Sequence, residues 1–272
     1  MPKKQTNLSV IILTWNTADV TLKCVQTIKK YLSDLEYEII IVDNGSDDDT
    51  VKILEKEGGT KVIKNKTNLG FSKGNNIAAN IATGEYLFFL NSDMELTDNK
   101  LIDMFNYINK HPEIGLIGPK FLNSNLTEQG SVFPPQTSLN AFREFWLGQK
   151  TFSKYIPNST NPTEVFSISG GALLISRQFF KKIGGWDQRY FFYYEDLELC
   201  RQVRKFKKKI YYFPECRIIH RHGVSGKSLA SSDNQWRRLI PSSKIYHGLF
   251  KYYLLFLITW SSQKFRHFFV TK

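Results

Sequence analysis

The chain is poor in cysteine. Its three, Cys24, Cys200 and Cys216, are odd in number and lack C-x-x-C spacing, so neither a disulfide framework nor a structural zinc site is indicated. A reducing compartment fits best. Long hydrophobic runs are also missing. Leu8 to Leu13 is too brief for a signal-peptide core, so no secretion is implied, and Leu249 to Trp260 is too short and interrupted for a confident membrane span. Acids are outnumbered, 25 against 37 Lys and Arg, and the net charge of +12 fits a negatively charged partner or surface. There is no internal repeat or low-complexity tract. With 42% hydrophobic and 14% aromatic residues, the 272-residue chain can bury a full core as one large domain, or one domain plus an appendage.

Two β-branched runs, Leu8 to Leu13 and Tyr37 to Val42, read as buried parallel strands that end in Thr14-Trp15-Asn16 and Asp43-Asn44-Gly45-Ser46. Between them Val20, Cys24, Ile28 and Leu32 recur at helical spacing, which makes the opening a β-α-β unit. Spacing predicts further helices over 47–57, 75–82 and 101–109, and strands over 61–64, 86–90 and 114–117. The strand Tyr86 to Leu90 stops at Asn91-Ser92-Asp93. Open α/β sheets bind ligands outside the carboxyl ends of their strands, so these polar clusters are expected along one edge. Phe121 to Thr163 reads as a long irregular segment, functional or a mobile lid. Phe166 to Ile175 reads as a strand broken by Gly170-Gly171, a pair that either permits close packing or lines an acceptor pocket. A helix over 176–183 follows, and Lys209 to Phe213 and Arg217 to Ile219 are the last strand candidates.

Between Gly184 and Cys200, the adjacent acids Glu195 and Asp196 stand behind an aromatic run, at the start of a predicted helix. Desolvation and mutual repulsion would raise a carboxylate pKa toward the range in which it accepts a proton from a hydroxyl. Ordinary helix-start chemistry is the alternative, since acids favour the first turn. Beyond Gly226 the character changes. Ser242 to Lys272 reads as an interfacial helix, with Lys251, Lys264, Arg266 and Lys272 toward lipid headgroups and Tyr252, Phe256 and Trp260 on the apolar side. A helix packed on the preceding domain or across a homodimer interface is the competing reading. Charge alone does not make a nucleic-acid binder, and no such motif is present.

Thr14-Trp15-Asn16, Val42 to Ser46, Asn68 to Asn76, Leu90 to Asp93, Glu195-Asp196 and His220 to Ser225 together resemble the successive motifs of family 2 glycosyltransferases of the GT-A fold, particularly the rhamnosyltransferase-like branch. The resemblance covers roughly residues 8 to 225. It implies an α/β, Rossmann-like mixed and mainly parallel sheet flanked by helices, as a catalytic domain over 1–226 with a basic, aromatic helical segment over 227–272. It also implies an inverting transferase that moves a sugar such as rhamnose from a dTDP- or UDP-sugar to a saccharide or polyprenyl-linked acceptor. Such an enzyme would be cytoplasmic, or peripheral at the cytoplasmic membrane face.

By the same resemblance Thr14, Asn16, Asp43, Lys73, Asn76, Asn91 and Asp93 bind the nucleotide sugar, while Gly171, Trp186 and Asp187 face the acceptor. Asp196 is the base, with Glu195 as its neighbour and stand-in. Asp93 and His220 hold a divalent ion, Mg²⁺ or Mn²⁺, whose hard character suits oxygen ligands. His222 is the weaker metal candidate. Asn91 replaces the first acid of the family's D-x-D motif, which loosens the expectation of metal dependence. It also motivates the alternative of a non-catalytic nucleotide-sugar-binding protein on the same fold.

Overall fold

The computed structural model describes residues 7–221 and 232–270. Its centre is a ten-stranded mixed sheet. Strands β1 (Leu8–Thr14), β2 (Tyr37–Asp43), β3 (Lys61–Lys64) and β4 (Tyr86–Asn91) are mutually parallel in the order β3-β2-β1-β4. Beyond β4 the order continues through β11 (Ala172–Ser176), β6 (Ile114–Leu122), β12 (Lys209–His220) and β5 (Met94–Leu96). Along this path β11 and β5 run antiparallel to their neighbours. The sheet is therefore mixed but mainly parallel, as expected.

The core lies on both faces because side chains alternate along each strand. Val10, Ile12, Ile39, Ile41, Phe88 and Leu90 pack in one layer. Their sequence neighbours Ile11, Ile40, Val42, Leu87 and Phe89 pack in the other. Strands buried on both faces need near-continuous apolar sequence, which explains the runs that mark β1, β2 and β4. Helix α1 (Ala18–Tyr31) buries Thr21, Cys24, Val25 and Ile28 in the β1-β2 crossover.

Several expected boundaries move. The helix expected over 75–82 is α3 (Phe71–Ile81), which begins directly after Gly70 because the glycine loop is itself the helix entry. The strand expected over 166–175 divides into β10 (Ser167–Ile168) and β11, parted by Ser169-Gly170-Gly171. The candidates at 209–213 and 217–219 are one strand, β12, whose register shifts between Phe213 and Arg217. Inside the segment expected to be irregular lie β7 (Glu128–Gln129), β8 (Val132–Phe133) and helix α5 (Ser138–Leu147), the last capped by Thr137, whose side chain accepts from Asn140 N–H.

Helix α7 (Glu195–Lys205) carries the acid pair in its first turn. The C-terminal helix expected from Ser242 is two helices, α8 (Ser232–His247) and α9 (Leu249–Val270), separated by Gly248 at φ +75°. The domain boundary expected at 226, and the His222 to Ser225 part of the last motif, lie outside the described residues. Tyr246 of α8 is buried with Tyr190 and Leu197 against the domain, and its carbonyl accepts from Arg201 Nη2 at 2.9 Å.

Candidate active site

Five of the nucleotide candidates gather where β1, β2 and β4 end, as parallel-strand topology requires. The pocket there is lined by Thr14, Trp15, Asn44, Asn68, Asn91 and Ser92 and closed by aromatic rings of Phe71, Phe191 and Phe192. Thr14 is buried, and its hydroxyl joins those of Thr17 (3.0 Å) and Thr21 (2.8 Å), with Ser92 3.4 Å from Thr17. Asn16 adopts φ +51°, a conformation asparagine tolerates, and its Oδ1 accepts from Asp47 N–H at 3.0 Å. The Asp43 carboxylate accepts from Gly45 N–H (3.2 Å), Ser46 N–H (3.0 Å) and the Ser46 hydroxyl. These three side chains thus build the strand-end turns, and Thr14 also lines the pocket.

Asn44 is a functional candidate that sequence reasoning passed over. Fully buried, its amide donates to Asn68 Oδ1 (2.9 Å) and accepts from Asn65 Nδ2 (3.0 Å) and Leu69 N–H (3.1 Å), so it ties the end of β2 to the glycine loop. Its place beside Asp43 in the motif was the available signal. Gly70 has φ +83°, and a Cβ on it would stand 2.6 Å from the Phe191 carbonyl oxygen, so only glycine lets the two loops meet. Lys73 is exposed on the first turn of α3.

Asn76 does not face the pocket. Its amide donates to the Trp186 carbonyl at 2.7 Å and accepts from Trp186 N–H at 3.0 Å, which uses both ends of the group to anchor the 184–187 turn. Trp186 is itself corrected from an acceptor platform to core. At 1% exposure its indole is enclosed by the edges of Phe71, Phe89 and Phe180, leaving no face for a sugar. Trp186→Ala is accordingly expected to cost about 3–5 kcal/mol of stability in denaturant unfolding, which an acceptor platform alone would not. Asp187 is engaged by Arg189, whose Nε donates at 3.1 and 3.0 Å and Nη2 at 2.6 Å, and this pairing holds its carboxyl below the usual range. Gly171 is buried, and a Cβ there would lie 2.5 Å from Met94 Cε. The glycine pair serves close packing, with the Gly171 carbonyl accepting from Asn91 N–H at 2.8 Å.

That pair also spans the distance from Asn91 to the acids. Gly170 N–H donates to Asp196 Oδ2 at 3.0 Å, and Leu197 N–H donates to Oδ1 at 2.8 Å. Burial raises the Asp196 carboxyl, opposed by Lys154 and by these two N–H donors. Burial and the Asp196 charge raise Glu195 well above the usual range, and its Oε2 has no hydrogen-bond partner among the described residues. Lys154 was not anticipated. Much of its side chain is at the surface, yet its ammonium donates to Ser169 Oγ at 3.2 Å, lies 4.9 Å from the Phe133 ring centre, and offsets the acids. Nothing local in a loop sequence marks such a long-range pairing.

The acid pair follows Tyr193 and Tyr194, at φ +71° and +68°, two bulky residues in the left-handed region. Such conformations cost roughly 1–3 kcal/mol each and persist where the surroundings over-determine them. Here Phe191 O accepts from Phe71 N–H at 2.7 Å and Phe192 O from Ser242 Oγ at 2.8 Å.

A raised carboxyl has a thermodynamic signature. Because the folded pKa of Glu195 lies above the unfolded one, its favourable contribution is full below the unfolded value and lost as pH rises through the folded value. Glu195→Gln is expected to melt above wild type at neutral pH, with the difference closing near about pH 4.

Two residues past Asn91, Asp93 is buried, with Oδ1 3.7 Å from His220 Nε2. Gln129, another unanticipated residue, donates through Nε2 to Asn123 Oδ1 (2.9 Å), which turns its Oε1 toward His220 Nδ1 at 2.6 Å. With the proton on Nδ1, Nε2 would offer its lone pair on the Asp93 side, the arrangement of a metal-binding imidazole with an outer acceptor. Nearby Glu95 is neutralised by Arg221 and by Lys23 at 3.2 Å. No group of three or more His, Cys, Asp or Glu able to hold a metal occurs among the described residues. Asp93 and His220 would supply two ligands, a set that fits a hard cation completed by water and phosphate oxygens.

A mixed, mainly parallel sheet with a pocket at its parallel strand ends, Asp196 linked to Asn91 through Gly170-Gly171 and an Asp93–His220 pair just beyond β4 has the arrangement of a GT-A nucleotide-diphospho-sugar transferase. The same fold occurs in GalNAc-T7, solved with UDP, GalNAc and Mn²⁺, which superposes with a TM-score of 0.63 at 21% identity over 81% of this chain and 44% of that one. The sequence profile of Glycosyl transferase family 2 matches residues 9–184, and the chain belongs to that family. Curated relatives include the O-antigen biosynthesis protein RfbC of Myxococcus xanthus, 26% identical over 71% of this chain and 15% of the relative. Another is the N-acetylglucosaminyl-diphospho-decaprenol L-rhamnosyltransferase of Mycobacterium tuberculosis, 24% identical over 71% of this chain and 69% of the relative.

Proposed function

We propose that the protein is an inverting glycosyltransferase of cell-surface polysaccharide synthesis. It transfers a sugar, with rhamnose the leading candidate, from a dTDP- or UDP-linked donor to a saccharide or polyprenyl-diphosphate-linked acceptor. The observation that carries this reading is the placement of Asp196. Its carboxylate is raised by burial and joined through Gly170-Gly171 to Asn91 at the rim of the pocket.

In the proposed reaction the acceptor hydroxyl gives its proton to Asp196 while its oxygen forms the new bond to the anomeric carbon. The bond from that carbon to the diphosphate breaks on the opposite face, and the nucleoside diphosphate leaves with the electron pair. The pocket rings hold the base, and the Asp43 turn and the Asn44-tied loop fix the nucleoside end. Asp93 and His220 would hold a divalent ion, which supplies neutralisation of the charge developing on the leaving diphosphate. Peripheral contact with the cytoplasmic face of the membrane, or a homodimer, belongs to the same reading.

The test is donor hydrolysis and transfer scored across UDP-, dTDP- and GDP-sugars, with Mg²⁺, with Mn²⁺ and with chelator. Turnover with a dTDP- or UDP-sugar is expected, and failure across the whole panel overturns the reading.

A further inference from the structure

Helix α9 has one stripe of side chains against the domain. Leu255 and Ser262 are buried, and Ser262 Oγ donates to the Phe145 carbonyl of α5 at 2.5 Å. On a solvated helix the opposite stripe would be polar. Here it is apolar: Phe250 is 86% exposed, Tyr253 56%, Leu257 55% and Trp260 47%. No described helix is long and apolar enough to cross a membrane.

The exposed surface continues onto α5. Trp146 Nε1 donates to the Ile258 carbonyl at 3.2 Å, its ring lies 5.5 Å from that of Phe265, and Phe142 stacks beside it at 6.2 Å. Two helices far apart in the chain therefore present one aromatic face, larger than the scattered apolar residues of an ordinary surface. Its charge has one sign. Helix α9 has no acid; Lys264 and Arg266 are exposed, Arg266 also donating to the Phe145 carbonyl of α5 at 2.8 Å, whereas Lys251, expected toward the headgroups, is half-buried near Arg201. The single acid of α5, Glu144, is turned inward, accepting from the N–H groups of Thr151 (2.9 Å), Phe152 (2.6 Å) and Ser153 (2.9 Å).

We infer that α5 and α9 together form a docking face for an anionic lipid bilayer, lying in the interface with the aromatic rings among the acyl boundary and the cations at headgroup level. Trp and Tyr prefer that depth, and a basic rim with an apolar centre matches a negatively charged membrane surface. A second copy fits less well, because a two-fold contact sets the same face against itself and brings the cations of α9 together. The expected helix placement is also refined: Tyr253, not the half-buried Tyr252, is the tyrosine on the open side.

Flotation of the full chain with vesicles of phosphatidylcholine alone, and of phosphatidylcholine with phosphatidylglycerol, tests this face, with light scattering reporting oligomeric state. Flotation is expected only with the anionic vesicles. It should fall roughly fivefold for each cation removed in Lys264→Gln and Arg266→Gln, and be abolished in Phe250→Glu/Trp260→Glu. Circular dichroism melts and titration with UDP and dTDP accompany every variant. Phe250, Trp260 and Lys264 are exposed and away from the pocket, so those variants should match wild type in nucleotide binding and melting, while Arg266→Gln also loses its bond to the Phe145 carbonyl and its flotation is read beside its melt. Wild-type chain that stays unbound to anionic vesicles overturns the inference, as does undiminished flotation of the Phe250→Glu/Trp260→Glu variant. A dimer dispersed by these substitutions without vesicle binding assigns the face to a second copy instead. Loss of nucleotide binding in wild type would count against the transferase reading and leave the lipid result standing.

Discussion

Asp196→Asn is expected to slow sugar transfer by about 10²–10⁴-fold, the usual contribution of a positioned general base, while nucleotide affinity stays near wild type. The substitution keeps the shape of the side chain, and the amide oxygen can still accept from Gly170 or Leu197 N–H, so the turn survives. What disappears is the ability to take a proton. Steady-state rates beside nucleotide titrations separate the two effects. Transfer at the wild-type rate in Asp196→Asn would show that the base lies elsewhere.

The second large effect is expected at Asp93. Asp93→Ala removes the buried carboxylate that faces His220, and turnover should fall by at least about 10²-fold, with the concentration of Mn²⁺ or Mg²⁺ needed for half-activation rising. Titrating the metal at fixed donor measures both. Unchanged metal dependence in Asp93→Ala would remove this residue from the cation site. Because Glu95 is already paired with Arg221 and Lys23, it is not a ready substitute.

The parts of this architecture that sequence made legible are those written locally. β1, β2 and β4 announce themselves because strands buried on both faces must be apolar throughout, and the polar residues that end them, Asp43 and Asn91 among them, fall on one edge by topology. The raised pKa of Glu195 and Asp196 is the outcome that desolvation behind an aromatic run implies, chosen by the fold over the helix-start alternative.

What escaped depends on distant partners. Trp186 and the rings after it look alike in sequence, and only the fold shows that Trp186 is core while Phe191 and Phe192 line the pocket. Asn76 sits in a glycine-loop motif but spends its amide on a backbone 110 residues away. Lys154, Gln129 and the antiparallel run of β11 follow from packing across the sheet, which no local pattern encodes.

The pairing of β5 with β12 has a mechanical consequence. Met94 stands opposite His220 in the ladder, and Arg221 N–H donates to the Asp93 carbonyl at 2.9 Å, so both ends of the cation pair hang from one stretch of hydrogen-bonded backbone. β12 is clamped in turn by β6, and β5 by Thr27, whose Oγ1 accepts from Leu96 N–H at 3.1 Å. The main-chain separation of Asp93 and His220 is thus a fixed gauge, which the two side chains span. A gauge of this kind has no slack for one more methylene, and Asp93→Glu, although it conserves the charge, should fail the same metal titration nearly as completely as Asp93→Ala.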